Sequence, residues 1–370
     1  MSTLEYLIKH MFPFSLDVVN KPYGDSDVVG RLHALQRSIP MNAYADLAAA
    51  ARGSQAQLRA LEPFFERAGC VSLQGKGEHG VAFRLCKSSN CKDCMLLKVV
   101  DTSRDKSGHP EDMFIEADVH DAVSKAFADR RSVASYRVQP CIHFPRLEAF
   151  VIRAPYLFLF MEVIEGGQSL REAIRASMSS AQLKALMFQV LYTLACFQHE
   201  FPGFRHNDLH MGNVLVARHA RPAVYLMEEQ GQQRFSLPKS SGTVRILDFG
   251  LSCSARFRNM VAEDMAHKGY GTQRCDMYDL HTLVEEMHDL RSLKSVQPFL
   301  AACERWIPAR FFRSGPLFLQ KHQRLSTRGQ QELQDLGGSP LRFLLEDAYF
   351  DSLRLPASSG AAPLYGYSFN

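Results

Sequence analysis

The chain has 370 residues, of which 46% are hydrophobic and 22% are charged. This composition allows a sizeable buried core and excludes a chain that is disordered throughout. The 43 Lys and Arg residues nearly balance the 39 Asp and Glu residues, giving a formal net charge of +4. Because a protein that coats a polyanion is strongly basic, we expect no direct binding to nucleic acid.

The compartment can be predicted from the cysteines and the apolar stretches. The chain has nine cysteines, an ordinary frequency for its length, and an odd number cannot all be paired. Both facts favour a reducing compartment over a disulfide framework. Residues 1–13 lack the pattern of a secretory signal. The most apolar stretch, Val151 to Ile164, contains Arg153 and Glu162 and is too short to span a bilayer. We expect an intracellular protein, cytoplasmic or nuclear, with no membrane contact.

In chain order, the pattern changes from helical to strand-like and back to helical. Residues 1–68 contain helical pieces but no interpretable motif, and we treat them as an N-terminal extension. Alternating apolar residues and Gly-rich turns then predict strands over 70–73, 81–86, 95–100, 149–153 and 156–164. Apolar residues at helical spacing predict helices over 111–130 and 180–200. Strands followed by helices predict an α+β fold with two lobes.

A glycine-rich loop lies between the first two predicted strands. Gly75, Gly77 and Gly80 form a G-x-G-x-x-G pattern. Glycines let the backbone approach phosphate oxygens without a Cβ in the way. A dinucleotide-binding motif of the Rossmann type requires a helix directly after the loop, whereas residues 81–86 are strand-like. The alternative is a tight hairpin without a ligand.

Lys98 lies in an apolar strand, eighteen residues after Gly80, and Glu116 follows eighteen residues later on a predicted helix. A lysine in apolar surroundings is costly unless an anion meets it. Glu116 is therefore the expected partner. The alternative is that both side chains lie on the surface.

Two later segments supply groups for phosphate chemistry. Residues 206–213 have H-x-D-x-x-x-x-N spacing, which places the Asp208 carboxylate and the Asn213 amide on one loop. The carboxylate can accept a hydroxyl proton, and the amide oxygen can bind Mg²⁺. Asp248 follows a buried strand and precedes Phe-Gly, a position suited to a second metal ligand. The alternative for the first segment is a zinc site made by His206, Asp208 and His210.

Taken together and in this order, these motifs resemble the eukaryotic-type protein kinase superfamily from about residue 69 to about residue 350. The resemblance implies that the glycine loop covers the phosphates of ATP and that Lys98, positioned by Glu116, contacts the α- and β-phosphates. It implies that Asp248 and Asn213 hold Mg²⁺ and that Asp208 activates the acceptor hydroxyl. It also implies adenine contacts by Ala82, Leu96, Met161 as gatekeeper, Glu162, Val163, Ile164 and Leu215.

By the same resemblance, the γ-phosphoryl group is transferred to serine or threonine of a protein substrate. Asp276-Met277-Tyr278 resembles the start of the central helix of the C-lobe, whose aspartate braces the catalytic loop. We expect an extension over 1–68, an N-lobe over 69–165, a C-lobe over 166–355 with an insertion at about 217–242, and a flexible tail over 356–370.

Several departures indicate a divergent branch. Asn207 replaces the usual arginine before the catalytic aspartate, and His210 replaces a lysine two residues after it. This loop resembles haspin-like kinases and kinases of large DNA viruses, and also the aminoglycoside and choline phosphotransferases. The chain has no Ala-Pro-Glu motif between Gly250 and Asp276, and the haspin-like group also lacks this motif. A small-molecule phosphotransferase therefore remains an alternative to a protein kinase.

Two residues expected to line the nucleotide pocket differ in size from those usual in the family, one being smaller and the other larger. Ala82 and Leu96 stand where the family has valine and alanine. This exchange roughly conserves volume, which cores tolerate best, and it predicts a pocket that still binds ATP. If Leu96 instead blocked the pocket, the chain would be a pseudokinase scaffold.

Three cysteines follow the glycine loop with C-x4-C-x2-C spacing: Cys86, Cys91 and Cys94. A zinc site would need a fourth ligand, and only Cys70 or His79 is close in sequence. A polar turn with free thiols is the favoured interpretation.

Overall fold

The computed structural model describes residues 70–76, 80–86, 94–101, 115–141, 143–153, 156–217, 223–229, 231–356, 359 and 361–369. The expectations for residues 1–68, Gly77 and Cys91 lie outside these ranges. The described part of the chain forms two compact units. One comprises the residues up to Ala117 and Arg146–Val163, and the other comprises Asp118–Pro145 and the residues from Ile164 onward.

The strands are β1 Cys70–Lys76, β2 Gly80–Cys86, β3 Cys94–Asp101, β4 Arg131–Val133, β5 Tyr136–Val138, β6 Leu147–Arg153, β7 Tyr156–Met161, β8 Gln168–Ser169, β9 Val214–Ala217, β10 Ala223–Glu228, β11 Gln232–Leu237, β12 Thr243–Ile246, β13 Phe318–Leu319, β14 Arg324–Leu325, β15 Arg354–Leu355 and β16 Tyr365–Ser368. The α-helices are α1 Ile115–Ala126, α2 Leu170–Arg175, α3 Ser180–Glu200, α4 Met260–Asp264, α5 Tyr278–Met287, α6 Gln297–Trp306, α7 Thr327–Asp335 and α8 Pro340–Glu346. The predicted α+β fold with two lobes is confirmed.

The first unit, called here the strand unit, is a five-stranded antiparallel sheet in the order β1-β2-β3-β7-β6. On β3, Met95, Leu97 and Val99 are buried on one face, while Leu96 and Lys98 alternate onto the other. The face with Leu96 also carries a cluster that includes Val100, Leu159 and Met161 and packs against Ala117 of α1. Lys98 therefore lies on the side of the sheet where α1 begins.

The second unit, the helical unit, is built around α3, a 21-residue helix. Fourteen of its residues are buried, so it passes through the core rather than over the surface. Ser179 begins the helix with a capping box to Gln182. A three-stranded sheet in the order β12-β9-β8 combines β8, which precedes α3 in the chain, with β9 and β12, which follow it. Among the helices that the structure describes, none has the length and apolarity to cross a bilayer.

An antiparallel hairpin, β10–β11, occupies most of the segment predicted as an insertion. It belongs to a four-stranded sheet in the order β15-β11-β10-β16. The prediction of a flexible tail is wrong for β16, which pairs in parallel with β10. Tyr367 is 2% exposed, and its hydroxyl donates to the Glu200 carboxylate. Burial of the aromatic residues Tyr367 and Phe369 offsets the entropy lost on ordering the segment.

The prediction of free thiols is wrong for two cysteines, because Cys86 and Cys94 form a disulfide. They stand directly opposite each other on β2 and β3, with Cα atoms 4.0 Å apart. This cross-strand register was not visible in the sequence spacing. Because zinc needs thiolates, the bond also removes two of the three sulfurs proposed for a metal site.

Candidate active site

The strand unit holds an ion pair between β3 and α1. Lys98 Nζ lies 2.6 Å from Glu116 Oε1, as predicted. The side chains are 19% and 5% exposed, respectively, so the pair is shielded from water on most sides. Charge-assisted bonds in such surroundings are short and strong. The ammonium of Lys98 is therefore held in place by Glu116.

The glycines of the loop have different structural roles. A Cβ on Gly80 would come 2.7 Å from the carbonyl oxygen of Val99, so β2 and β3 approach closely only because residue 80 is glycine. Gly75 is exposed with open space around its Cα, next to an irregularity in the β1–β2 register. Gly80 thus has a packing role of its own, whatever the loop binds.

The residues expected around adenine are divided between the two units. In the strand unit, Leu96 pairs with Met161 across β3 and β7, and Ala82 pairs with Lys98 across β2 and β3. The backbone N–H of Glu162 donates to the carbonyl of Arg146, at 2.9 Å. Val163 is the last residue of this unit. In the helical unit, Ile164 and Leu215 both border Gly167.

The loop with H-x-D-x-x-x-x-N spacing lies between α3 and β9 and is held by its backbone. The Asp279 carboxylate accepts the N–H groups of His206, at 2.7 Å, and Asn207, at 2.9 Å. Asn207 has φ of +64°, a left-handed conformation that asparagine tolerates better than most residues. Its side-chain amide donates to the carbonyl of Leu251 at 3.0 Å. The asparagine in place of the usual arginine thus ties the loop to the segment after Gly250.

The identification of Asp276 as the bracing carboxylate is wrong, because Asp279 makes these contacts. The helix α5 begins at Tyr278, so Asp279 lies in its first turn and is 1% exposed. Asp276 lies before the helix, and its carboxylate accepts two bonds from Arg274. The resemblance placed the bracing aspartate three residues too early.

The Asp208 carboxylate lies among three polar partners. Its Oδ1 accepts from Arg324 Nη2 at 2.9 Å, and its Oδ2 accepts from Asn213 Nδ2 at 3.4 Å. His210 Nε2 is 3.6 Å from the same Oδ2. The Asp208 side chain is 31% exposed, so it remains open to a reactant. The amide of Asn213 also donates to the Asp208 carbonyl at 2.9 Å, which orients both side chains.

Asp248 follows β12 and is joined to this loop through the backbone. The N–H of Leu247 donates to the carbonyl of Asn213 at 2.8 Å. Asp248 itself is exposed, with φ of +65°. The next residue, Phe249, is fully buried and packs against the rings of His120 and His206, with centroids 5.1 and 5.6 Å away. The buried ring anchors the backbone next to Asp248.

The side chains present fit magnesium better than zinc. Because Asn213 donates through Nδ2, its Oδ1 is the atom left to bind a cation, and Asp248 supplies carboxylate oxygens. Such hard oxygen ligands suit Mg²⁺. Both ring nitrogens of His206 have backbone partners, the carbonyl of Leu247 and the N–H of Asp208. In the described ranges no three His, Cys, Asp or Glu side chains gather as a metal site.

Sequence reasoning missed three residues around the loop: Asp279, Arg324 and Glu286. The Glu286 carboxylate accepts the N–H of Met211 and pairs with Arg171. Each of the three lies more than 70 residues after its partner in the loop. Only the aspartate had a local signal, the apolar helix pattern after residue 277. Nothing near Arg324 in the sequence points to Asp208.

Comparisons with known proteins agree with these motifs. A family model described as "Protein kinase domain" matches residues 71–274, more than half of the chain. A protein of Dictyostelium discoideum named as a probable serine/threonine-protein kinase is 41% identical over 76 residues, covering 20% of this chain and 6% of that protein. A mimivirus protein from Acanthamoeba polyphaga mimivirus, also named as a serine/threonine-protein kinase, is 34% identical over 98 residues, covering 25% and 21%.

The chain thus spans at most about a fifth of these relatives in the aligned segments. A crystal structure of a kinase domain covers 76% of this chain and 87% of its own, with a TM-score of 0.39 and 14% identity. This last likeness is too remote to carry an argument about the site.

Proposed function

Because this chain belongs to the protein kinase domain family, we propose that it transfers the γ-phosphoryl group of ATP to serine or threonine side chains of a protein. The observation that carries the proposal is the arrangement around Asp208. An exposed carboxylate is held beside an amide, Asn213, whose oxygen can bind a cation. The names of the relatives support serine and threonine as acceptors.

In this proposal the acceptor hydroxyl hydrogen-bonds to Asp208, which orients it and takes its proton as the oxygen attacks the γ-phosphorus. The new O–P bond forms as the bond from the γ-phosphorus to the bridging oxygen breaks, and ADP leaves. Lys98, held by Glu116, would donate to the α- and β-phosphates. When bound, Mg²⁺ neutralises phosphate charge, and Asp248 and Asn213 are the residues that would hold it.

Positioning and charge stabilisation supply most of the catalysis in phosphoryl transfer. In each unit, a buried carboxylate holds a functional group in a fixed position. The ammonium of Lys98 is fixed by a carboxylate that is 5% exposed. The catalytic loop is fixed through backbone N–H groups by Asp279. Neither feature depends on a modified residue.

The test is transfer from radiolabelled Mg-ATP by the purified chain, offered mixed protein acceptors in one series and aminoglycosides or choline in another. We expect label on serine and threonine after acid hydrolysis of the proteins. Label only on the small molecules would replace the proposal by a small-molecule phosphotransferase. Absence of ATP binding by the intact chain, restored by Leu96→Ala, would show a blocked pocket and a pseudokinase.

A further inference from the structure

Arg324 reaches the proposed catalytic carboxylate from a distant part of the helical unit. It lies on β14, 116 residues after Asp208, and its Nη2 donates to Asp208 Oδ1 at 2.9 Å. Its Nη1 donates to the carbonyl of Asn207, also at 2.9 Å. One planar guanidinium therefore holds both the side chain of Asp208 and the backbone beside it, as the fixed fork of arginine allows.

The guanidinium of Arg324 is itself held by a second residue, Tyr270. Nη2 also donates to the hydroxyl of Tyr270 at 2.9 Å, and the guanidinium carbon lies 4.0 Å from the centre of that ring. The Arg324 side chain is 10% exposed. A guanidinium with these contacts has little freedom to move, so it can fix the rotamer of Asp208.

The backbone that carries Arg324 is equally well packed. Gly269 lies against the β13–β14 hairpin, and a Cβ there would come 2.6 Å from the Leu325 carbonyl and 2.7 Å from Arg324 Cβ. The amide of Gln330 bridges the carbonyls of Gly269 and Leu325 at 2.6 and 3.1 Å. The distance between Arg324 and the catalytic loop is thus set by packing on both sides.

The position of the positive charge is the unusual feature of this loop. His210 stands where a lysine is common, and its Nδ1 accepts the N–H of Gly212 at 3.0 Å. Its Nε2 lies 3.6 Å from Asp208 Oδ2, which is too far for a hydrogen bond. The permanent cation bonded to Asp208 is Arg324.

We propose that Arg324 is the positioning residue for Asp208. It fixes the carboxylate through Oδ1, so that Oδ2 faces the acceptor hydroxyl, and it places a permanent positive charge beside the reacting group. This inference rests on the proposed function. A purely structural arginine would contribute to folding and to ATP binding but would not act through Asp208.

The experiment compares Arg324→Gln and Arg324→Lys with the wild type in steady-state phosphoryl transfer to a protein acceptor, together with ATP binding by calorimetry and thermal melting. The matched control is Arg328→Gln, since Arg328 lies nearby on α7, is 82% exposed and pairs with Glu332. Each substitution at residue 324 is also made in the Asp208→Asn background.

We expect Arg324→Gln to lower kcat about 100-fold, the lower end of the loss caused by removing one preorganised hydrogen-bond donor. The KM for ATP and the ATP affinity should stay within about twofold, because the contact concerns Asp208. Arg324→Lys keeps the charge but not the fork, so its kcat should lie in between. In the Asp208→Asn background the Gln substitution should cause no further loss, and Arg328→Gln should match the wild type.

Three results would overturn the inference: a kcat for Arg324→Gln within threefold of the wild type, an equal loss in the Asp208→Asn background, or parallel losses of ATP affinity and kcat. Should Arg324→Gln fail to fold, Arg324→Lys becomes the test, and a kcat of Arg324→Lys equal to that of the wild type would reject the positioning role. An inactive wild-type chain would instead overturn the proposed function, and this inference with it.

Discussion

The two units hold their functional side chains in different ways. In the strand unit, Lys98 and Glu116 meet directly, side chain to side chain, from a strand and the helix that follows it. In the helical unit, Asp208 sits on a loop whose backbone is held by Asp279 and whose carboxylate is held by Arg324. The partners in the first arrangement are separated by 18 residues in the sequence, and those in the second by 72 to 116 residues.

This difference indicates which substitutions each unit tolerates. Strand pairing fixes Lys98 through the register of β2, β3 and β7, so its position does not depend on side chains elsewhere. A loop has no such register and needs buried polar partners. Loss of one distant partner should therefore disturb the helical unit more than an equally distant change disturbs the strand unit.

Apart from Asp208→Asn, the largest effect is expected for Lys98→Met, which removes the ammonium from the strand unit. Phosphoryl transfer should fall on the order of 10²- to 10³-fold, because the proposed phosphate donor is lost. Lys125→Met is the matched control, since Lys125 is 54% exposed and pairs with Asp121 on the same helix. Such surface pairs contribute little, so the control should stay within twofold. Transfer by Lys98→Met within tenfold of the wild type would contradict a role of Lys98 in the reaction.

The helical unit is tested by Asp279→Asn against Asp276→Asn. The Asp279 carboxylate accepts the N–H groups of His206 and Asn207 with its two oxygens, whereas the asparagine side chain has only one, uncharged oxygen. We therefore expect Asp279→Asn to lower the free energy of unfolding by about 2–3 kcal/mol. The loss for Asp276→Asn should be below about 1 kcal/mol, because its partner Arg274 is 67% exposed. Urea denaturation measures both. Equal losses would mean that Asp279 does not brace the loop.

A smaller effect concerns the disulfide of the strand unit. The bond between Cys86 and Cys94 closes a loop with a sequence separation of 8, and loops of this size give a stabilisation of about 2 kcal/mol. Reduction should lower the free energy of unfolding of the wild type by that amount and leave the Cys86→Ser, Cys94→Ser double variant unchanged. A wild type that does not respond to reductant would contradict the disulfide.

The smallest effect is a pH dependence in the helical unit. Burial lowers the pKa of His281 to about 4, partly opposed by its bond to the Phe311 carbonyl. Its pKa in the folded protein is below the ordinary 6.5, so the unfolded chain takes up the proton first. Stability is therefore complete above about pH 6.5 and declines as pH falls toward 4.

Between pH 7 and 5, this histidine should account for a loss of about 1–2 kcal/mol in the free energy of unfolding. His281→Gln keeps a donor for the Phe311 carbonyl but cannot titrate, so its unfolding free energy should change less over this range. Urea denaturation at the two pH values gives the difference. An identical pH dependence in the two proteins would show that His281 does not cause the decline.

Local patterns predicted the features that depend on local spacing. Alternation along β3 placed Lys98, helical spacing placed Glu116, and the H-x-D-x-x-x-x-N spacing placed Asp208 beside Asn213. The two-lobed α+β fold followed from the order of strands and helices. In each of these cases the residues concerned lie on one element or on neighbouring elements in the chain.

The features that sequence reasoning missed depend on tertiary packing. Arg324 reaches Asp208 only because Gly269 admits the β13–β14 hairpin, and the spacing of two cysteines does not show whether β2 and β3 place them opposite each other. The pairing of β16 was missed for the same reason, since its partner β10 lies more than 130 residues earlier in the chain, in the segment predicted as an insertion. Placing the start of α5 at Asp276 instead of Tyr278 exchanged Asp276 for Asp279 as the bracing carboxylate.

The most direct test of the account is a comparison of the wild type with Asp208→Asn in Mg-ATP-dependent phosphorylation of protein acceptors, with ATP affinity measured in parallel. We expect the wild type to label serine and threonine, and the variant to keep only a small residual turnover while ATP affinity stays within about twofold, because Asp208 acts on the acceptor and not on ATP. An Asp208→Asn variant that phosphorylates protein at the wild-type rate would contradict the central claim.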